Sequence, residues 1–187
     1  MSSESSTLGA AERTRVRVRA QRHATALPLI IAGLSLLVLA WLDLRGPYMH
    51  WLAMFFGAMV LLVLYVTMWL RRLSTGLGSG RDGYGLVVIV AVVVAFVPMS
   101  VLLGPTFSLG LGLGILGWRG WEPLLWASGL VIAMISPLAA LGTIDNHADL
   151  LGPAPTAVVF AAAGLTLATM GVVALARERR TGRPQDK

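Results

Sequence analysis

Five apolar stretches, each 18 to 21 residues long and free of charged side chains, cover more than half of this chain. They are residues 25–42, 51–70, 85–103, 123–141 and 156–176. An α-helix rises about 1.5 Å per residue and the hydrocarbon of a bilayer is about 30 Å thick, so each stretch can span it as a helix. The sequence therefore predicts an all-α fold, a polytopic bundle of transmembrane helices.

Composition leaves little room for any other kind of domain. The chain has 187 residues, of which 56% are hydrophobic, and its mean hydropathy is +0.76. We divide it into a basic tail (1–23), a transmembrane helix bundle (24–176) and a second basic tail (177–187). Cysteine is absent, which excludes disulfides, thiolate metal sites and thiol nucleophiles.

Arginines next to the apolar stretches predict the orientation of the chain. A cluster precedes the first stretch, and Arg71, Arg72 and Arg81 follow the second. Because cytoplasmic loops are enriched in Lys and Arg, the N-terminal tail and the loop after residue 70 should be cytoplasmic. This positional role, together with contact with anionic lipid headgroups, explains the net charge of +6 better than nucleic-acid binding does, so we expect no nucleic-acid partner.

The segment 104–118 decides the number of spans. Its apolar part is about 14 residues long, roughly 21 Å as a helix, which suits either a short span or a re-entrant segment. If it crosses, there are six transmembrane helices, both termini are cytoplasmic, and 14 of the 15 basic residues lie inside, with Arg45 the exception. If it is re-entrant, there are five spans and the basic C-terminus lies outside. Charge favours six.

A Gly-Pro pair precedes the second, fourth and sixth predicted helices, at 46–47, 104–105 and 152–153, and arginine follows the end of each. Proline suits the first helical turn, and glycine before it permits a tight reversal. The pattern suggests three hairpin repeats. The alternative is that Gly-Pro simply marks three unrelated turns.

Small residues at helical spacing indicate close helix contacts. The run 112–117 matches G-x-G-x-x-G, but no strand precedes it, so packing is a better interpretation than dinucleotide binding. The Gly-rich run 78–83 is typical of a linker. The residues that we predict to pack between helices, by small-xxx-small spacing, are Gly110, Gly114, Gly117, Gly164 and Ala168.

Aromatic and basic residues near the span ends predict contact with the membrane surface. The predicted interfacial anchors are Trp41, Trp51, Trp69, Trp118 and Trp121. The residues predicted to bind anionic lipid headgroups are Arg13, Arg15, Arg17 and Arg19.

Candidate chemistry is sparse. No ionisable side chain lies at the centre of a span, where proton relays and ion paths usually carry one. The polar groups in the spans are hydroxyls, which we expect to form interhelical hydrogen bonds; they include Ser35, Thr67, Ser108, Ser136, Thr166 and Thr169. Asp145, His147 and Asp149, with Asp43 and His50, could gather a cation, although a solvated turn explains them as well. We predict no catalytic residue, cofactor or metal.

The stretch 103–118 and the following Arg119-Gly-Trp-Glu-Pro-Leu-Leu-Trp126 resemble small multi-pass integral membrane proteins of actinobacteria. The spans also resemble the sensor halves of some bacterial histidine kinases, without any kinase domain after residue 176. The resemblance implies a bacterial plasma membrane protein and carries over no functional residue.

The sequence leaves three functions open. The one that we favour is a non-enzymatic accessory or regulatory subunit that works through helix contacts with a membrane protein partner or a second copy. The alternatives are a transporter or channel component, and a membrane enzyme acting on a lipid or isoprenoid through Asp43, Glu122, Asp145 and Asp149.

Overall fold

The computed structural model describes residues 26–45, 50–75, 84–96 and 100–181. These residues form helices and short connections and include no strand, which confirms the all-α prediction for this part of the chain. The helices are α1 (Ala26–Asp43), α2 (His50–Thr75), α3 (Tyr84–Phe96), α4 (Ser100–Leu103), α5 (Phe107–Gly120), α6 (Pro123–Ala140), α7 (Thr143–His147) and α8 (Pro155–Thr181), with a 3₁₀ turn (Asp149–Leu151) between α7 and α8.

Three of these helices are long and apolar enough to cross a membrane by length and composition. They are α1, α6 and the part of α8 from Pro155 to Arg177. A fourth apolar helical stretch, Phe55–Leu70 of α2, is shorter. The described residues thus contain three helices that could span a membrane, which agrees with the prediction of a helical membrane protein.

The most extensive helix contact in the described chain joins α1 to α8. Gly171 lies beside Ala26 and Ile30, whereas Gly164 lies beside Gly33 and Leu37 (the α1–α8 seam). Residue numbers on α8 fall as those on α1 rise, so the two helices are antiparallel. The chain consequently enters α1 and leaves α8 at the same end of the bundle.

The second extensive contact joins α5 to α6 along their whole length (the α5–α6 seam). Gly104 lies beside Ser136, Gly110 beside Gly129 and Ala133, and Gly117 beside the Trp126 backbone. The segment 104–120 therefore runs along α6 from one end to the other without turning back. We call these ends of the bundle the Gly104 end and the Trp121 end.

The second and third helices, α2 and α3, complete the described bundle by packing on each other and on α5. Gly57 lies against the first turn of α5, and Leu61 and Val87 lie against Gly112, so α2 and α5 run in the same direction. The shared core contains six fully buried leucines from α1, α2 and α5: Leu29, Leu36, Leu61, Leu64, Leu109 and Leu113.

Several local predictions differ from the structure. The polar segment after α6 is not a simple solvated turn, because it forms α7 and a 3₁₀ turn. The helix of the segment 104–118, α5, extends past Trp118 to Gly120. The helix after Gly152-Pro153 begins only at Pro155.

The closest helix pairs do not coincide with the three suggested hairpins. Those hairpins would pair α1 with α2 and α6 with α8, yet α1 makes its main contact with α8, and α6 makes its main contact with α5. A glycine face accounts for each close pair, since it lets two backbones approach.

Candidate functional site

Four of the five predicted packing residues lie against a neighbouring backbone. A Cβ atom added to Gly110 would stand 2.5 Å from the Ala133 nitrogen. One added to Gly117 would meet the Trp126 backbone, and one added to Gly164 would lie 2.8 Å from the Gly33 carbonyl oxygen. Ala168 presents its nitrogen to Gly33 across the α1–α8 seam.

Gly114 differs from the other four. A Cβ atom added to it would meet nothing within 4 Å, whereas its backbone nitrogen and Cα lie against Gly129 of α6. The backbone of Gly114 therefore borders the α5–α6 seam. The space into which a side chain at this position would point is unoccupied.

The tryptophans with described side chains are exposed on the bundle. Trp41, Trp69 and Trp118 are exposed, and Trp121 is 91% exposed in a left-handed backbone conformation (φ 54°). The Arg45 guanidinium lies 4.4 Å from the centroid of the Trp41 ring, a cation–π contact. The Trp51 side chain and the predicted headgroup residues Arg13, Arg15, Arg17 and Arg19 lie outside the described part.

The polar segment at the Gly104 end is held by local hydrogen bonds. The Thr156 backbone N–H donates to Asp145 Oδ1 at 3.1 Å, which ties α7 to the start of α8. His147 Nδ1 lies 3.1 Å from the Thr143 carbonyl oxygen. Within the described residues no three His, Cys, Asp or Glu side chains are grouped as a metal site would need.

Four of the six hydroxyls that were expected to bond between helices bond within their own helix instead. The hydroxyls of Ser35, Thr67, Thr166 and Thr169 each donate to the carbonyl oxygen four residues earlier, at 2.7–2.8 Å. A hydroxyl satisfied by its own helix can face lipid without leaving a polar group unpaired, and the hydroxyls of Thr67, Thr166 and Thr169 are exposed in this way.

Three buried hydroxyls have no hydrogen-bond partner among the described residues: Thr106 Oγ1, Ser136 Oγ and Thr156 Oγ1. Thr106 and Ser136 are fully buried. Thr106 ends the Gly104 turn (residues 104–106), which is closed by the Phe107 N–H donating to the Gly104 carbonyl at 3.3 Å. Ser136 Oγ faces this turn, 2.7 Å from the position of a Cβ atom on Gly104.

Sequence reasoning did not single out this pair as a site. A signal was present, because Thr106 follows Gly104-Pro105 and Ser136 precedes Pro137. Proline disturbs the backbone hydrogen bonds that normally satisfy neighbouring polar groups. The sequence does not show that the Gly104 turn lies against Ser136 of α6.

Comparison of the chain with models of protein families, with curated proteins and with solved structures finds no match.

Proposed function

We propose that this chain is a non-enzymatic accessory or regulatory subunit of the bacterial plasma membrane, with six spans and both termini cytoplasmic. It works through contacts with a membrane protein partner or a second copy. The observation that carries the proposal is the interior of the bundle, which is filled by apolar side chains.

The centre of the described bundle is packed with leucine. Leu29 and Leu36 of α1 are fully buried in one cluster with Leu61 of α2 and Leu109 and Leu113 of α5. Transport of an ion or polar solute needs polar groups along a path, and catalysis needs them around a substrate. A centre occupied by close-packed leucines favours a structural role over either activity.

The antiparallel α1–α8 seam supports an even number of spans. When two spanning helices are antiparallel, the start of the first and the end of the second face the same side of the membrane. Five spans would put them on opposite sides. The course of segment 104–120 along the full length of α6 also favours a crossing over a re-entrant segment. Six spans then place both basic tails inside, as the positive-inside rule requires.

A transporter or channel component is the second candidate, and one observation favours it. The buried hydroxyls of Thr106 and Ser136 have no partner in the part of the chain that the structure describes, and Pro137 interrupts the backbone hydrogen bonds of α6 beside Ser136. Unpaired polar groups next to irregular backbone are typical of transport sites in membrane proteins.

The enzyme alternative is weakened by the position of the carboxylates. Glu122 precedes α6 and Asp145 follows it, so a helix of 18 residues, about 27 Å, separates them. General acid and base groups must reach one substrate within hydrogen-bonding distance.

Photo-crosslinking in native membranes tests the leading proposal. A photoreactive residue at exposed Leu165 of α8 should give a discrete protein adduct, identified by mass spectrometry as one partner or a second copy. The same residue at buried Leu167 is the matched control and should give none. Lipid adducts alone at Leu165, and also at exposed Leu62 and Met134, would contradict the proposal.

Flux measurements separate the two candidates. Proteoliposomes containing the purified protein should show no uptake driven by a pH gradient and no cation leak above that of empty vesicles. A reproducible flux would favour the transporter or channel reading instead.

A further inference from the structure

The Gly104 turn concentrates unsatisfied polar groups inside an apolar bundle. Thr106 and Ser136 are both 0% exposed, and neither hydroxyl has a partner among the described residues. A buried hydroxyl without a partner is costly, and it is costlier where lipid rather than water surrounds the fold. Ser35 and Thr166 avoid this cost by bonding to their own helix, whereas Thr156 Oγ1, at the start of α8, is a third buried hydroxyl without a partner among the described residues.

Backbone groups of the same region also lack partners. Thr106 is the N-cap residue of α5, and its side chain makes no capping hydrogen bond. The N–H groups in the first turn of α5 have no acceptor within their own helix. On α6, Pro137 has no N–H, so the Ala133 carbonyl receives no helical bond from that position.

We propose that one ordered water molecule occupies the Gly104 turn and bridges the hydroxyls of Thr106 and Ser136. Water can accept from hydroxyls or N–H groups and donate to a carbonyl, and buried waters in proteins usually make about three such bonds. A cation fits less well. The N-terminus of α5 carries partial positive charge, and residues 104–109 and 132–140 contain no carboxylate.

The inference does not depend on the proposed function, because a structural water suits a subunit or a transporter equally. It explains why these two fully buried hydroxyls have no partner among the residues that the structure describes. Gly104 itself lies against Ser136: its φ is 82°, and a Cβ atom there would stand 2.6 Å from the Ser136 carbonyl oxygen and 2.7 Å from the Ser136 hydroxyl.

A double-mutant cycle on the full chain tests the water. Thr106→Val and Ser136→Ala should each lower the melting temperature of the purified protein, by roughly 2–4 °C. Combined, they should lower it by less than the sum, because either change releases the same water. Ser35→Ala is the matched control for a serine that is satisfied by its own helix.

Three results would overturn the proposal. Unchanged or higher melting temperatures would mean that the hydroxyls are simply unpaired. Additive losses would mean that they have separate partners. If Thr106→Val fails to accumulate, Thr106→Ser, which keeps the hydroxyl, must restore the protein, and its failure would count against the water. In an experimental density map, a peak within hydrogen-bonding distance of both hydroxyls supports the proposal and an empty site contradicts it.

Discussion

Gly110 and Gly114 stand one helical turn apart on α5 and meet different surroundings. A side chain on Gly110 would collide with the α6 backbone at Ala133, whereas one on Gly114 would enter open space. Sequence spacing places both on one helix face but cannot show that the face is only partly covered. The identity of the partner helix and its local approach decide which glycine is sterically required.

Alanine substitutions should separate these two glycines. Gly110→Ala should destabilise the protein by about 1–3 kcal/mol, because α5 and α6 must move apart to admit the methyl group. Gly114→Ala is the control and should be neutral or slightly stabilising, since alanine favours a helix more than glycine does. Thermal unfolding in detergent measures both, and equal losses at the two positions would contradict the description of the seam.

Trp121 adopts a left-handed conformation in a position where helices usually have glycine. The Glu122 N–H donates to the Gly117 carbonyl at 2.9 Å, which closes the C-terminus of α5 around Trp121. Gly120 lies one residue too early to take this role. The sequence suggested a helix end at Trp118, but Gly117 packs on Trp126, so the helix continues before it turns.

Replacement of Trp121 by glycine should relieve backbone strain. The left-handed conformation costs a non-glycine residue about 1–2 kcal/mol. Trp121→Gly should therefore raise the melting temperature in detergent, where anchoring to a membrane interface has no effect. Trp118→Gly, inside α5, should lower it because glycine disfavours the helix. A fall at both positions would argue against strain at residue 121.

Among the elements, helix positions were easier to predict than helix partners. The first, fourth and fifth apolar stretches match α1, α6 and α8 to within a residue or two at most ends. Hydropathy predicts such boundaries because the preference for lipid over water belongs to each side chain and does not depend on its neighbours in the fold. Partner choice depends on matched surfaces that are distant in sequence, so the α1–α8 seam was not foreseen.

The link between α7 and α8 should depend on one carboxylate oxygen. Asp145→Ala removes the acceptor for the Thr156 N–H and should cost about 0.5–2 kcal/mol, the usual loss for a helix cap. Asp145→Asn keeps an oxygen acceptor and should lose less. Asp149→Ala, at an exposed position, is the control. Equal stability of the alanine and wild-type proteins would show that the bond contributes nothing.

The orientation of the whole molecule in the membrane can be measured with single introduced cysteines, because the natural sequence contains no cysteine. Cysteine at Ser3, Ser79 or Gln185 should resist an impermeant thiol reagent in intact cells, while cysteine at Ala148 should react. Membrane permeabilisation, which should expose all four, is the control. Reaction at Gln185 in intact cells would contradict six spans and restore the re-entrant alternative.

The α1–α8 seam also sets an order of events during synthesis. Gly33 meets Gly164, so α1 must enter the membrane about 130 residues before its main partner exists. At translation rates of about 5–20 residues per second, this interval is on the order of 10 s. During that time the glycine face of α1 lacks the α8 backbone that lies against it in the folded chain. A ribosome stalled before α8 would leave a nascent protein whose earlier helices are inserted in the membrane but whose α1–α8 seam has not formed.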